Sequence, residues 1–337
     1  VIKIALDAMG GDFAPSSTVQ GAVEAIKENN NIKIILVGNE EKINEELRKY
    51  NYDKEKIEII HTDEEILMKE TMPPAMAVRK KKNASMNIAI NLVKEGKANA
   101  VVSAGNTGAL MTASQLTLKR IKGVLRPAIT TIFPKKNGKM VMMDVGANAD
   151  CKPEYLEQFC IMGAEYAKIL LDIENPKVAL LNIGEEEGKG NELAKQSYEL
   201  IKANSNINFI GNIESREMLT EGEADVVVAD GFTGNIVLKT AEGVAKTIFD
   251  ILKEGIESKL LYKLAALVLK PVFKEVKNSL DSSEYGGALF LGLNGISIKA
   301  HGNSNGKAIK NALNVAKKFA ESNFIENIKE NIAKKEQ

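Results

Sequence analysis

A series of turns in this chain sets Gly, Asn, Asp or Thr directly after a short apolar run. Val101-Val102 leads into Ser103-Ala104-Gly105-Asn106-Thr107-Gly108-Ala109, and Val226 to Ala229 leads into Asp230-Gly231-Phe232-Thr233-Gly234-Asn235. Met142-Met143 leads into Asp144-Val145-Gly146-Ala147-Asn148, with Lys152 four residues on, and Leu180-Leu181 leads into Asn182-Ile183-Gly184-Glu185. The first apolar run ends in Asp7-Ala8-Met9-Gly10-Gly11-Asp12. The chemistry these residue types share is anion binding. Free N–H groups at a helix start, with the positive end of its dipole, hold phosphate without a crowd of lysines. Glycine lets the backbone approach, and Asn and Thr add side-chain donors. Any one turn reads more simply as strand-to-helix punctuation with a capping residue. Several of them in one register favour a ligand cleft.

Around these turns lie single residues with two readings each. His301, in Ala300-His301-Gly302-Asn303-Ser304, either donates to an anion or a carbonyl oxygen or is a structural turn histidine. Lys239 either points back to an anion or is a solvated helix lysine. Cys151 has no partner base in sequence and reads as a buried thiol. No strand is followed by the Gly-x-Gly-x-x-Gly spacing of a dinucleotide site, and no Gly-rich turn closes on Gly-Lys-Ser/Thr, so no organic cofactor is expected. A divalent metal bridging Asp7, Asp12 or Asp230 lacks a compact ligand motif, and no metal is expected.

The elements that must position these turns follow from the hydrophobic pattern. Strands are expected at Val1–Leu6, Ile32–Val37, Ile57–Ile60, Ala98–Val102, Ala128–Phe133, Met140–Val145, Val178–Ile183, Ile207–Ile210, Ala224–Ala229 and Ile296–Lys299. Helical patterns such as Thr18–Glu28, Met86–Lys94, Glu154–Leu171, Asn191–Ala203 and Ile236–Leu252 lie between them, and one long amphipathic helix is expected from about Lys307 to the end. This alternation gives a mostly parallel sheet with helices on both faces. No linker splits the 337 residues, which form a single α/β catalytic unit over 1–337, as one body or two interleaved lobes. Lys+Arg and Asp+Glu both number 45, and aromatics are 5%, so neither charge nor stacking surface supports nucleic-acid binding. Two cysteines make no disulfide framework and point to a reducing compartment. The expected location is cytoplasmic.

The Asp7–Asp12 start and the Ser103–Ala109, Asp144–Asn148 and Asp230–Asn235 turns resemble the bacterial acyl-carrier-protein:phosphate acyltransferases of phospholipid synthesis. So do Gly211-Asn212-Ile213-Glu214 and the closing Gly286-Gly287-Ala288 through His301-Gly302. The match runs in order from residue 1 to about 305, with Ser215 a small departure. It implies a three-layer α/β/α fold like that of isocitrate and isopropylmalate dehydrogenases and of phosphotransacetylases, and a homodimer. The implied reaction takes a fatty acyl group from acyl-carrier protein to inorganic phosphate, and the acyl phosphate then feeds a membrane glycerol-3-phosphate acyltransferase. Direct displacement needs no Ser-His-Asp triad, because phosphate is itself the nucleophile and a thiol leaves readily. For that reaction Asn106, Asp144, Asn148, Asp230, Asn235 and His301 are the catalytic candidates. Gly105, Thr107, Gly108, Gly146, Lys152, Gly184, Thr233, Gly234 and Lys239 are the phosphate-binding candidates.

Two surface features complete the reading. Arg79-Lys80-Lys81-Lys82 is the densest basic run and suits an acidic carrier protein, or is a plain solvated face. Ile256 to Leu280 is a basic amphipathic segment with Pro271 expected to kink or break it. It suits dimer packing, or a peripheral contact with the inner face of the cell membrane through Leu260, Leu264, Ala265 and Val268. Alternatives to the acyltransferase are a phosphotransacetylase acting on short acyl-CoA and a non-catalytic membrane-associated scaffold.

Overall fold

The computed structural model describes residues 1–136, 138–280 and 286–334, with the side chains of 277–280 outside the description. The chain opens with β1 (Ile2–Asp7), α1 (Ser16–Glu28), β2 (Ile32–Gly38), α2 (Glu40–Leu47) and β3 (Ile57–His61). Next come α3 (Pro74–Lys80), α4 (Ser85–Lys94), β4 (Ala100–Ser103) and α5 (Thr107–Leu118). The hairpin of β5 (Ala128–Lys135) and β6 (Gly138–Met143) precedes α6 (Pro153–Leu170), β7 (Val178–Asn182), α7 (Glu192–Lys202) and β8 (Phe209–Glu214). Then follow α8 (Ser215–Leu219), β9 (Val226–Val228), α9 (Gly231–Glu257) and α10 (Leu260–Leu280). The chain closes with β10 (Ala288–Leu291), β11 (Ile296–Lys299), α11 (Gly306–Ala320) and α12 (Phe324–Ala333).

Among the described residues these strands make one 11-stranded sheet in the order β3-β2-β1-β4-β11-β10-β5-β6-β9-β7-β8. Side chains alternate between its faces, and both faces are apolar, as a covered sheet requires. Ile4, Leu6, Val141, Met143, Val226 and Val228 pack with α1, α6, α11 and α12 on one side. Ala5, Met140, Met142 and Val227 pack with α4, α5 and α8 on the other. The result is the expected three-layer α/β/α architecture.

Strand direction departs from expectation. β1 to β4 and β11 are parallel. β10 then runs antiparallel to β11 and to β5, and β5 runs antiparallel to β6. The block β6-β9-β7-β8 is parallel within itself and opposite to the first block. The candidate turns therefore do not share one register. The carboxyl ends of β1, β4 and β11 lie at one edge of the sheet, and those of β6, β7 and β9 lie at the opposite edge. Reversal by the tight β5–β6 hairpin leaves almost no trace in a hydrophobic pattern that reports burial and not direction.

Three smaller expectations are corrected. Strand β10 was not anticipated, because Ala288-Leu289-Phe290-Leu291 is short and Gly-flanked. The terminal helix is two helices: Phe324 folds back against Phe319, ring centroids 5.0 Å apart, and Phe319 stacks on Tyr166 at the same distance. Its last residues, 335–337, lie outside the described ones. Helix α10 runs on through Pro271, so the proline does not break it. Proline frees the carbonyl four residues earlier, that of Leu267, and Leu267 is 66% exposed, so water reaches that turn.

Candidate active site

At the first edge, three strand ends converge on a buried polar knot. Ser103 pairs in register with Lys299, and Asp7 follows the pair Leu6–Val102. Asp7 accepts from Ser85 Oγ and Ser103 Oγ, both at 2.6 Å, and Ser103 Oγ in turn accepts from the Gly105 N–H at 3.0 Å. Burial pushes the Asp7 carboxyl above its ordinary range, against the pull of the two hydroxyls. A Cβ on Gly10 would sit 2.5 Å from Asp7 Oδ2 and 2.8 Å from the Gly105 nitrogen, so only glycine lets the first loop close over the knot.

Lys299 is the cation of this edge, and it is 8% exposed. Its ammonium donates to the carbonyls of Ala104 and Ala300, one in each of two loops. Burial brings it down to about 8, opposed by the charges of Asp7 and Asp12. A trans peptide sets N–H opposite C=O, so this grip on Ala300 turns the His301 N–H away from the lysine. That N–H has no protein acceptor among the described residues. Further along the same loop, Ser304 Oγ is buried without a hydrogen-bond partner.

Helix α5 starts beside this knot. Asn106 is its N-cap: Oδ1 accepts from Ala109 N–H at 3.0 Å, and its carbonyl accepts from Leu110 N–H at 2.9 Å. The N–H groups of Thr107 and Gly108 precede the helix's first bonds and have no acceptor among the described residues, at the positive end of the dipole. Asn106 Nδ2 donates to Met68 O at 3.1 Å. Of the sequence candidates, the fold thus brings together Gly105, Asn106, Thr107, Gly108 and His301. Reading by motif missed Lys299, Asp7, Ser85 and Ser103 in this role. The one available signal was a lysine closing the apolar strand Ile296-Ser297-Ile298-Lys299 just before His301-Gly302.

The other candidates stand at the second edge, where the protein supplies its own anion. Asp144 is fully buried, and its carboxylate accepts from the N–H groups of Ile129, Gly146, Ala147 and Asn148 and from Asn148 Nδ2, all between 2.8 and 3.2 Å. Burial raises the Asp144 carboxyl, opposed by these donors. The nest assigned to phosphate is filled by a side chain. Both amide hydrogens of Asn148 are committed, to Asp144 and to Pro127 O at 2.8 Å, and Asn235 Nδ2 donates to Val145 O at 2.9 Å. Asp230 caps α9, accepting from Thr233 N–H at 2.8 Å and Thr233 Oγ1 at 2.7 Å. A Cβ on Gly234 would collide with the Asp144 carbonyl, so this turn is a tight α9-to-sheet joint. Cys151 is pushed up to about 12 by burial and stays a thiol.

The remaining candidates are dispersed. Lys152 is exposed at the start of α6 with no capping bond. Gly184 is buried in the turn after β7, beside Glu186 and Lys189, away from the first edge. Lys239 pairs with Glu242 at 2.7 Å on the surface of α9. In the basic run, Arg79, Lys80 and Lys82 are exposed, but Lys81 is tied to Glu65 O at 3.0 Å and Glu70 at 2.6 Å. Asp7 and Asp12 follow β1 at the first edge and Asp230 follows β9 at the second, and among the described residues they form no common ligand cluster. A cavity of about 230 Å³ between α6 and α11, lined by Leu170, Leu171, Val315 and others, holds no candidate residue.

The family described as fatty acid synthesis protein matches residues 2–327. A phosphate acyltransferase of Fusobacterium nucleatum is 58% identical over 329 residues, 97% of this chain and 98% of that protein. One from Dictyoglomus turgidum is 52% identical over 334 residues, 99% and 98% of the two chains. Among solved structures, a phosphotransacetylase from Streptococcus pyogenes superposes with a TM-score of 0.65 at 19% identity, covering 95% of this chain and 94% of that one. A putative 4-hydroxythreonine-4-phosphate dehydrogenase from Salmonella typhimurium does so with a TM-score of 0.53 at 13% identity, covering 94% and 99%. At these identities the structural likenesses establish the fold alone.

Proposed function

We infer the reaction from one premise: the chain belongs to the fatty acid synthesis protein family. It is an acyltransferase of phospholipid synthesis that uses phosphate as acceptor. The donor, on our reading, is a fatty acyl thioester of an acyl-carrier protein, and phosphate sits at the first edge. The observation that carries this placement is the convergence of the α5 start, the His301 loop and the buried Lys299 on one spot. There the Thr107 and Gly108 N–H groups and the helix dipole face the phosphate, and Lys299 supplies the nearest positive charge from beneath. A phosphate oxygen attacks the thioester carbonyl, the C–S bond breaks, and the thiolate takes up the proton that phosphate gives up. His301 donates to the carbonyl oxygen as it gains charge. Asp144, Asn148, Asp230, Thr233 and Asn235 serve as a structural joint that aims α9, not as phosphate ligands.

The exposed Arg79, Lys80 and Lys82 dock the acidic carrier protein. The arm formed by α9 and α10 carries exposed Val244, Ile248, Ile251, Leu260, Leu264 and Val268, and Ala265 is exposed beside them. Such a patch exceeds what isolated subunits ordinarily show. Its α9 part packs against a second copy, and its α10 part, flanked by Lys259 and Lys263, touches an anionic lipid surface. There it hands acyl phosphate to a glycerol-3-phosphate acyltransferase. Among the described residues no helix is long and apolar enough to cross a membrane.

The test mixes purified protein with palmitoyl-carrier protein, with and without phosphate, and traps acyl phosphate with hydroxylamine. Phosphate-dependent hydroxamate with equal free thiol is expected. Charge reversal at Arg79 and Lys80 should raise KM for the carrier-protein thioester and leave that for a CoA thioester unchanged. Turnover of acetyl-CoA alone would establish a short-chain phosphotransacetylase, and silence with both donors would leave a scaffold.

A further inference from the structure

Residues 62–73 form neither helix nor strand, yet their path is fixed by polar ties. Thr62 Oγ1 donates to Asn83 O at 2.6 Å and Ser85 N–H to Glu64 O at 2.9 Å, while Lys81 holds both Glu65 O and Glu70. Those bonds account for the ends of the strap. Its crest, Leu67 and Met68, meets the first edge through Met68. Met68 O accepts from Asn106 Nδ2 at 3.1 Å, and a Cβ on Gly302 would meet Met68 Cε at 2.5 Å and Asp12 Oδ2 at 3.7 Å. Strap and first loop thus close on the same point from two sides. Pro74, just beyond the strap, lies 2.9 Å from where a Gly108 Cβ would be, which places the start of α3 against the same helix end.

Apolar side chains stand at this mouth beside the exposed polar Asp12, Thr107 and His301. Phe13, next to Asp12, is 56% exposed, Leu67 is 51% exposed and Met76 is 46% exposed, while Met68 is half-buried and Met72 is half-buried with part of its side chain on the core. Single exposed apolar residues need no explanation. Here they come from three segments that meet near the start of α5: the first loop through the Asp12–Gly302 bond, the strap through Met68 and α3 through Pro74. Unbranched, pliable methionines suit a flexible chain more than a rigid partner.

We propose that Phe13, Leu67, Met68, Met72 and Met76 form a cradle for the acyl chain of the thioester. Its first carbons lie across the strap crest while the carbonyl faces the α5 start. The assignment rests on the reading of the first edge as the phosphate site. Burial of one methylene changes affinity about fourfold, so the cradle makes binding rise with chain length until the lip is covered.

The experiment uses Leu67→Asn and Phe13→Ser, both at exposed positions where folding is retained. Binding of unreactive pantetheine thioethers bearing C4, C8, C12 and C16 chains is measured by calorimetry. Turnover of the matching carrier-protein thioesters is measured at saturating phosphate. The expected result is a loss of about tenfold in C12 and C16 affinity and kcat/KM, less than twofold at C4, and an unchanged KM for phosphate. An equal loss at every length, or none at any, overturns the cradle. If wild-type protein binds thioethers with chain-length dependence that Leu67→Asn abolishes, yet turns over no thioester, the cradle stands and the reading of the reaction falls.

Discussion

An ammonium buried at the end of an apolar strand keeps its proton only where nearby groups accept from it. At Lys299 the acceptors are the Ala104 and Ala300 carbonyls, with Asp7 and Asp12 acting through space. Its native pKa, about 8, lies below the ordinary 10.5, so the charge that phosphate would feel is present below pH 8 and is lost above it. Wild-type KM for phosphate should therefore climb about tenfold as pH rises from 7 to 9. Lys299→Met should show a high KM at pH 7 and no such climb, with kcat less affected. Stability runs the other way. Between pH 8 and 10.5 the unfolded lysine holds a proton the native one has lost, so the burial penalty is relieved and wild type gains on Lys299→Met across that window. Denaturant melts at pH 7 and 10 check this. A KM for phosphate that climbs equally in both proteins would sink the role given to Lys299.

Helix α9 shows how one element can be legible at its start and illegible in its purpose. The Asp230–Asn235 turn marks a helix start in sequence, and in the structure Asp230 and Thr233, expected at the site, form its cap. What the pattern could not say is that only its first turns reach the sheet, through Val237, Leu238 and Ala241, while Val244, Ile248 and Ile251 remain exposed. Amphipathic spacing records that one face is apolar and is silent about what covers it. If that cover is lipid at α10, Leu264→Asp with Val268→Asp should abolish flotation with anionic liposomes while circular dichroism and carrier-protein turnover in solution stay within twofold. Flotation unchanged by both substitutions would rule out the lipid contact.

Over the whole molecule, the reversal of strand direction at the β5–β6 hairpin separates two sets of turns that look alike in sequence. Variants at the two edges should therefore act on different observables and combine additively. Asn106→Ala, which removes the α5 cap, should raise phosphate KM about tenfold with a loss of about 1 kcal/mol in stability. Asp144→Asn, which leaves buried N–H donors facing a weaker acceptor, should cost about 1–3 kcal/mol and leave phosphate KM within twofold. Coincident effects of the two on phosphate KM would mean that the edges share one site after all.

The sequence by itself determined the layered α/β class, the positions of most strands and helices, and the Gly-Asn-Thr turns where α5 and α9 begin. All of these depend on local periodicity and capping, which a few neighbouring residues set. The resemblance carried by those turns also pointed to the family. Tertiary structure alone decided which turns face an open edge and which are closed by Asp144, because a nest and the carboxylate that fills it have the same residue types. It also decided that Lys299 lies beneath two loops and that Met68 reaches both Asn106 at the start of α5 and Gly302, far apart along the chain. Those facts follow from strand order and direction, which long-range pairing sets and no short window of sequence records.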